Sequence, residues 1–467
     1  MSSVRLSPAS QRLLLPIVLS GTFVQLFSVT VMQVGVVDIQ RDLNAGAAET
    51  QLVLAAYTLT YACSLLVSAR LGDKYGYRRM FVAGMALFTA ASIGAAAAPD
   101  AWVLIAGRAL QGFGSGLMAP QILSIIQSAL PANRRPAALS AFGATMAAAS
   151  LAGPVLGGVL TQLDPLGLGW RAAMLVVVPI GIAALALSPA LPSVREERKP
   201  ARVDPLGATL SLLGFALLVF PLTMGRQTGW PPWTWASLAL AAVALTGFVF
   251  SQRRAAEPLI QPSTLDEPAT RWGLAAVLVF NAGVPSFTLL LSMHLQGAKG
   301  WSPLETGLSV TPYAVGALAS SRIANSLGNR FGPRALAAAS LAMGLVCLAV
   351  PVLIDLRWWY WLALCVGGVA FGVFTASAFT QIIARARPEA AASVSGLLPT
   401  AQQLGGTLGV TFAGIAYAAP AATAGAALWH AMTYEAAAFA VAAVCAVGGL
   451  RSSRTAGDQS PRVSVRG

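Results

Sequence analysis

Runs of mostly apolar residues recur along the whole chain, and short polar segments separate them. A helix needs about 20 such residues to cross the hydrocarbon core of a bilayer. The runs close to this length are residues 13–37, 50–69, 79–98, 101–127, 137–161, 170–190, 205–224, 233–250, 271–295, 304–326, 335–354, 358–384, 391–418 and 429–450. The sequence therefore predicts an all-α protein that lies in a lipid bilayer and crosses it with fourteen transmembrane helices.

The composition excludes a soluble protein. Of the 467 residues, 56% are hydrophobic and 10% are charged, whereas soluble domains carry about 25% charged residues. The net charge is +13. Nearly all Lys and Arg residues lie in short segments between apolar runs, which is typical of membrane topology, so we expect no nucleic-acid partner. There are two His, and the four Cys lack the spacing of metal ligands, so we expect neither a metal site nor a cofactor.

The distribution of positive charge predicts the orientation in the membrane. An even number of spans places both termini on the same side. If that side is the cytoplasm, most of the 30 Lys and Arg residues fall in cytoplasmic segments, as the positive-inside rule requires. We therefore predict that the N- and C-termini are both cytoplasmic.

Two charged, proline-containing segments divide the chain into parts. We predict an N-terminal six-helix bundle over residues 1–190, linkers with two additional central helices over 191–270, a C-terminal six-helix bundle over 271–450 and a disordered basic cytoplasmic tail over 451–467. A partial repeat supports two halves, because LGDKYGYR from Leu71 is matched by LGNRFGPR from Leu327. Two like-oriented halves are typical of transporters whose substrate site lies between them, near the middle of the membrane.

The segment RLGDKYGYRR at residues 70–79 is predicted to be a tight cytoplasmic loop, because its glycines permit a turn. Its one acid is Asp73, among several cations. The segment resembles the signature loop of the major facilitator superfamily, with Leu71, Asp73, Gly76 and Arg78 matching. The resemblance implies that Asp73, Gly76 and Arg78 control a conformational change, whereas the cations alone would only anchor the topology.

A positive charge, Arg108, lies inside the fourth predicted span. A charged side chain inside a bilayer is costly and is a functional candidate, unless it snorkels to the membrane surface. The surrounding LIAGRALQGFGSG resembles the fourth-helix motif of the same superfamily, with Arg108, Gln111 and Gly112 matching. This resemblance implies that Arg108 takes part in proton coupling.

The fifth predicted span is rich in small residues, which let helices pack closely, so generic close packing is one interpretation. Its residues Gly153, Pro154, Gly157 and Gly158 resemble the antiporter motif, which marks exporters and implies a flexible seam that closes the cytoplasm-facing state. Further motifs follow in the order found in the fourteen-helix branch of the drug:H+ antiporters. The resemblance implies a major facilitator fold, with two six-helix bundles and two extra central helices, in a bacterial cell membrane.

The first predicted helix departs from that branch. Ser28 takes the position where the branch usually carries an Asp. Asp38, at the outer end of the helix, is one candidate proton carrier, although it could simply face water. Glu435 is a second candidate because it is the acid that falls within a span, although the last helix of this fold is normally peripheral to the cavity.

Polar side chains inside the spans should face protein or water rather than acyl chains. The predicted cavity residues are Gln25, Ser28, Gln33, Gln111, Gln121, Asn281, Gln402 and Gln403. The first helix has no mid-membrane acid that could balance a lipophilic cation in a low dielectric. We therefore expect neutral, zwitterionic or anionic amphipathic small molecules as substrates.

The sequence thus predicts an exporter of a drug, antibiotic or secondary metabolite that works by alternating access, draws on the proton gradient and acts as a monomer. An uncoupled facilitator, or a lipid or metabolite transporter on the same fold, is the alternative. A membrane-bound enzyme is not expected, because such enzymes usually cluster His, Asp or Glu at one membrane face and the sequence shows no such cluster.

Overall fold

A computed structural model describes residues 8–131, 133–164, 167–192, 204–225, 228–255, 258–260, 267–320, 323–385, 391–417, 419, 421 and 423–457. The regular elements in these ranges are helices. The α-helices are α1 (Pro8–Asp42), α2 (Ala47–Tyr75), α3 (Tyr77–Ala96), α4 (Ala101–Ala129), α5 (Arg135–Leu163), α6 (Arg171–Leu175), α7 (Val177–Leu187), α8 (Pro205–Met224), α9 (Pro232–Arg254), α10 (Pro268–Gly297), α11 (Pro303–Ser309), α12 (Thr311–Ser320), α13 (Ala324–Phe331), α14 (Pro333–Leu353), α15 (Arg357–Arg385), α16 (Ala391–Tyr417) and α17 (Ala424–Gly457). A 3-10 turn, Ser188–Ala190, follows α7.

The helices agree with the predicted spans. Within the described residues, 11 helices are long and apolar enough to cross a membrane. The remaining predicted spans coincide with α2, with the broken series from α11 to α13, and with α16. The prediction of an all-α membrane fold is confirmed, whereas the count of fourteen transmembrane helices stays a prediction.

The predicted loop over residues 70–79 is wrong in its extent. Helix α2 continues to Tyr75 and α3 begins at Tyr77, so Gly76 alone connects them. The helix continues because residues 70–75 contain no proline, and it ends where Gly76 adopts a φ of 95°. Glycine takes such a positive φ without the steric cost that a Cβ would add.

The predicted disordered tail is also partly wrong. Helix α17 continues to Gly457, so residues 451–457 are helical. No proline lies in this segment to interrupt the backbone hydrogen bonds, and a helix once formed extends at little cost. Residues 458–467 lie outside the described residues.

Buried apolar side chains form two cores. One core draws on the helices from α1 to α7, and the other draws on the helices from α10 to α17. Leu289 of α10 and Val410 of α16 join the first core, so the two halves of the protein are in contact. The two cores lie in the parts of the chain assigned to two bundles, and the exact domain boundaries stay a prediction.

The two central helices, α8 and α9, form a hairpin beside both halves, where α8 packs against α2 and α16. Asp204 caps α8 by accepting from Gly207 N at 2.8 Å, and it also accepts from Gln252 Nε2 at 2.7 Å. The Gln252 side chain in turn accepts from Ile260 N at 3.0 Å. These bonds tie the two ends of the hairpin together next to α2.

Candidate functional site

Arg108 lies in the interior of the N-terminal half, with 1% of its surface exposed, and does not snorkel. Its Nη1 donates to Ser28 Oγ at 2.8 Å and to Gln111 Oε1 at 2.9 Å, and its Nε donates to Val53 O at 3.3 Å. The guanidinium carbon lies 4.3 Å from the centroid of the Tyr57 ring. All of these partners are uncharged, so hydrogen bonds and a cation–π contact stabilise the cation.

The polar network around Arg108 continues along α2. A Cβ at Gly112 would collide with the Tyr57 carbonyl, so this glycine permits the close approach of α4 and α2. The Tyr57 hydroxyl lies 2.7 Å from Ser115 Oγ and 3.1 Å from Gln25 O. Tyr61 Oη donates to Gln25 Oε1 at 3.3 Å. A buried polar network therefore joins α1, α2 and α4.

Tyr57 and Tyr61 are functional candidates that the sequence prediction missed. Their spacing of four residues places them on one face of α2. A buried arginine needs hydrogen-bond acceptors or an aromatic face. These two signals together could have identified the pair, but the sequence does not say which helix lies opposite Arg108.

Two of the predicted cavity residues lie inside the N-terminal half. Gln111 Nε2 donates to Ser92 Oγ of α3 at 2.7 Å, and Gln121 Nε2 donates to Ser68 O of α2 at 2.8 Å. Both glutamines are 0% exposed. They contribute to helix packing within this half.

The predicted cavity residues of the C-terminal half have different surroundings. Asn281 Nδ2 donates to Val277 O of its own helix at 2.8 Å. Gln402 is half-buried on α16. The neighbouring Gln403 side chain lies beside Tyr61 of α2, so it lies where the two halves meet.

Helices α1 and α10 are joined by hydrogen bonds between the halves. Thr288 Oγ1 donates to Gln33 Oε1 at 2.7 Å, and Gln296 Nε2 donates to Val34 O at 2.9 Å. Both bonds lie toward the end of the bundle that carries the loop between α1 and α2 (residues 43–46). We call this end the α1–α2 end.

A second contact between the halves joins α2 and α16. The Oγ1 atoms of Thr58 and Thr407 lie 2.7 Å apart. Nearer the α1–α2 end, a Cβ at Gly414 would collide with the Gln51 side chain. This glycine therefore permits α16 to approach α2 closely.

Helix α5 packs tightly on α1 through glycines of the predicted antiporter motif. A Cβ at Gly153 would collide with the Thr30 hydroxyl, and a Cβ at Gly157 would lie 2.8 Å from Val31 Cγ2. Each glycine therefore permits an approach that a larger residue would prevent.

The same helix also contacts the C-terminal half. A Cβ at Gly158 would lie 2.6 Å from Pro303 O of α11, and a Cβ at Gly307 of α11 would collide with the Pro154 carbonyl. The contact is backbone against backbone and lies at the α1–α2 end. The antiporter-like segment is therefore part of the surface between the two halves.

The predicted signature loop forms the opposite end of α2. Asp73 Oδ1 accepts a hydrogen bond from Tyr77 Oη at 3.0 Å. The turn at Gly76 has a counterpart in the repeat, where Gly332 has a φ of 57°. Arg78 is half-buried at the start of α3.

The two candidate proton carriers lie in different halves. Asp38 is half-buried on α1, and its Oδ2 is buried without a hydrogen-bond partner. Glu435 is 0% exposed on α17, which packs against α10, α14 and α16. Within the described part of the chain, no group of three His, Cys, Asp or Glu side chains could hold a metal ion.

The sequence matches a known transporter family and several of its members. The family described as Major Facilitator Superfamily matches residues 18–410 and 272–456. A probable actinorhodin transporter of Streptomyces coelicolor is 36% identical over 421 residues, covering 86% of this chain and 71% of the relative. The cephamycin export protein CmcT of Amycolatopsis lactamdurans is 31% identical over 410 residues, covering 83% of this chain and 81% of the relative.

The structure resembles solved peptide transporters. The POT family transporter PepTSo has a TM-score of 0.67 at 14% identity, covering 96% of this chain and 99% of that chain. A peptide transporter POT solved with sulfate has a TM-score of 0.66 at 18% identity, covering 96% and 94%. At such low identity the likeness establishes the fold alone.

Proposed function

Because the chain belongs to the major facilitator superfamily, we propose that it exports amphipathic small molecules from a bacterial cell by alternating access, in exchange for protons. The chain is a multi-pass membrane transporter and not an enzyme. Relatives are named for the transport of actinorhodin and the export of cephamycin. These names support a drug, antibiotic or secondary metabolite as the substrate.

The observation that carries the proposal is the position of the contacts between the halves. The Thr288–Gln33 bond and the Gly158–Pro303 contact both lie toward the α1–α2 end. The positive-inside rule supports placing this end outside the cell and both termini in the cytoplasm. In this assignment the conformation is closed to the outside, as one state of an alternating-access cycle must be.

Proton coupling is the finer part of the proposal. In the N-terminal half, Arg108 supplies a fixed positive charge that Ser28 and Gln111 hold in place. Asp38 and Glu435 supply the titratable carboxyl groups. A buried carboxyl changes its protonation when its surroundings change from apolar to hydrated, so the two acids are able to link proton transfer to a conformational change.

The charge of the interior supports neutral, zwitterionic or anionic substrates. The hydrogen-bond partners of Arg108 are uncharged, and Ser28 stands where a carboxylate would neutralise the guanidinium. The interior of the N-terminal half is therefore net positive, which repels a lipophilic cation in a low dielectric. We further propose that the protein works as a monomer, since one chain supplies both halves.

Accumulation of fluorescent compounds in an efflux-deficient bacterium tests this function. Cationic, neutral and anionic amphipathic compounds are each measured with and without the protein, and again after addition of a protonophore. We expect the protein to lower the accumulation of neutral or anionic compounds, and we expect the protonophore to abolish this effect.

The same experiment tests the second candidate function, an uncoupled facilitator or a lipid or metabolite transporter on this fold. The observation that favours it is the serine at position 28, which leaves the first helix without a mid-membrane acid. Export that persists after the protonophore has collapsed the gradient would support the uncoupled function and contradict proton exchange.

A further inference from the structure

A carboxyl group without a partner lies in the interior of the C-terminal half. Glu435 is 0% exposed, and neither of its carboxyl oxygens has a hydrogen-bond partner. Among the described residues it is the one acid whose side chain is fully buried. An ionised carboxylate in such a place would have neither a hydrogen-bond donor nor an opposite charge to stabilise it, whereas a neutral carboxylic acid is much more easily buried.

The room for this carboxyl comes from α10. A Cβ at Gly283 would lie 2.4 Å from Phe439 Cζ and 2.9 Å from Glu435 Oε2, so the glycine leaves space that the phenylalanine ring and the acid share. The titratable groups that face Glu435 are Cys347 of α14 and Tyr434 of α17 itself. Neither group is a cation, so nothing in the described surroundings compensates a negative charge.

Ser286 of α10 lies beside Glu435 without bonding to it. Its hydroxyl donates to Ala282 O of its own helix at 2.6 Å, and neither carboxyl oxygen of Glu435 has a hydrogen-bond partner. A carboxylate that accepts no hydrogen bond is poorly stabilised in an apolar interior, so these surroundings favour the protonated form.

Helix α10 connects this site to the contact between the halves. Thr288, which bonds to Gln33 of α1, lies five residues after Gly283, or about 7 Å along the helix axis. Pro285 lies between them and removes one backbone hydrogen bond, which makes the helix easier to bend at this point. One helix therefore carries both the packing surface for Glu435 and the hydrogen bond that joins the halves.

We propose that Glu435 is the binding site of the coupled proton, and that loss of this proton separates α17 from α10 and thereby weakens the closure of the α1–α2 end. The inference rests on the proposed proton-coupled export and selects Glu435 over Asp38 as the carrier. In the cycle, Glu435 takes its proton from the outside and holds it, dehydrated, in the conformation closed to the outside. Release to the cytoplasm leaves a carboxylate that needs water.

Transport by purified protein in liposomes tests the role of this carboxyl. Glu435→Gln keeps the size and the neutral charge of the protonated acid but cannot release a proton. We expect the substrate concentration ratio that a pH difference builds up to be at least about tenfold smaller in this variant than in the wild type. A tenfold ratio corresponds to about 1.4 kcal/mol. We expect its substrate exchange without a pH gradient to be slower than in the wild type and to lose its dependence on pH, because the neutral side chain has no proton to release and keeps the α1–α2 end closed.

Glu267→Gln is the matched control, because Glu267 precedes α10 and its side chain caps no helix. It should behave as the wild type in both assays. If Glu435→Gln retains pH-driven transport, or if its exchange keeps the pH dependence of the wild type, Glu435 is not the proton site. Failure of the wild type to transport uphill would contradict the proposed function itself.

Infrared difference spectroscopy keeps the inference testable if Glu435→Gln does not fold. Wild-type protein with isotope-labelled glutamate should show the carbonyl band of a protonated glutamic acid at neutral pH, which separates Glu435 from Asp38. We expect substrate binding to shift or remove this band. A wild-type spectrum without a protonated glutamic acid would overturn the inference.

Discussion

At the scale of single residues, Arg108 shows how a charge is accommodated inside an apolar helix. Ser28, Gln111 and a backbone carbonyl accept its hydrogen bonds, and the Tyr57 ring covers its face. Hydrogen bonds to a charged group are worth about 1.5–3 kcal/mol each. The site is stable without an ion pair and keeps a net positive charge.

The serine at position 28 sets that net charge, and Ser28→Asp should reverse its effect. A carboxylate there would lie within ion-pair distance of Arg108, because Ser28 Oγ is 2.8 Å from Nη1. The interior would become neutral, so we expect export of a lipophilic cation to rise about tenfold, equivalent to about 1.4 kcal/mol. Fluorescent cation efflux measures the change. Ser28→Asn matches the size without the charge, and equal cation efflux by the two variants would contradict the electrostatic explanation.

Position 76 requires glycine because of its backbone conformation and not because neighbouring atoms leave no room for a side chain. Its φ is 95°, and nothing lies within 4 Å of a Cβ built there. We expect Gly76→Ala to destabilise the protein by about 1–3 kcal/mol, which thermal unfolding in detergent should show as a lower transition temperature. Gly94→Ala is the control. A Cβ at Gly94 would also meet no atom within 4 Å, but Gly94 lies inside α3 and has helical backbone angles. Alanine there should stabilise the helix by about 0.5–1 kcal/mol. Equal shifts in the two variants would argue against this account.

The individual site residues were only partly predictable from the sequence. The cost of a charge in lipid identified Arg108, and the desolvated position of Glu435 followed from the length of its span. Their neighbours were not predictable, because Tyr57 and Ser286 belong to other helices that are distant in the chain. The pattern of residue types along one helix does not show which other helix packs against it.

At the scale of elements, α5 contacts both halves of the protein. Its glycines allow backbone approach to α1 on one face and to α11 on the other. Side chains larger than hydrogen would separate these helices, since packed interiors tolerate little added volume. We therefore expect the antiporter-like segment to hold the α1–α2 end closed in this conformation.

Gly158→Ala should weaken that closure. Its Cβ would lie 2.6 Å from Pro303 O and 2.7 Å from Leu304 Cα, and overpacking of this kind costs about 1–3 kcal/mol. We expect distances between spin labels across the α1–α2 end to shift toward a more open population. Gly143→Ala on the same helix is the control, because its Cβ would meet nothing within 4 Å. Unchanged distances in Gly158→Ala, or the same change in both variants, would be inconsistent with this role.

The apolar runs predicted the helices well because a helix must be long and apolar to cross a bilayer. They failed where polar residues extend a helix beyond the membrane, as in α2 up to Tyr75 and α17 up to Gly457. They also could not show the interruption at Val176 between α6 and α7. Such a break depends on packing and leaves the hydropathy of the segment unchanged.

At the scale of the whole molecule, two cores meet where helices of the two halves pack together, and neutral hydrogen bonds cross between them. The Thr58–Thr407 contact and the Thr288–Gln33 bond are single neutral hydrogen bonds, each worth about 0.5–1.5 kcal/mol. Hydrogen bonds of this strength between packed helices can break and re-form within a transport cycle. This arrangement suits two rigid halves that move against each other.

A reversible cross-link between the halves should arrest the cycle. The hydroxyl oxygens of Thr58 and Thr407 are 2.7 Å apart, so cysteines at both positions should form a disulfide when oxidised. We expect oxidation of Thr58→Cys/Thr407→Cys to abolish export and a reductant to restore it, because the cycle requires this contact to open. The single variant Thr58→Cys should be insensitive to oxidation. Full export by the cross-linked protein would show that these helices do not separate during transport.

The measurement that tests the central claim most directly is transport by purified protein in liposomes with an imposed pH difference. About one pH unit supplies about 1.4 kcal/mol per proton, enough for about a tenfold substrate gradient if one proton is exchanged for each electroneutral substrate. We predict that the substrate accumulates on the acidic side, opposite to the proton flow, and that reversing the pH difference reverses the accumulation. A substrate distribution that ignores the pH difference would contradict proton-coupled export.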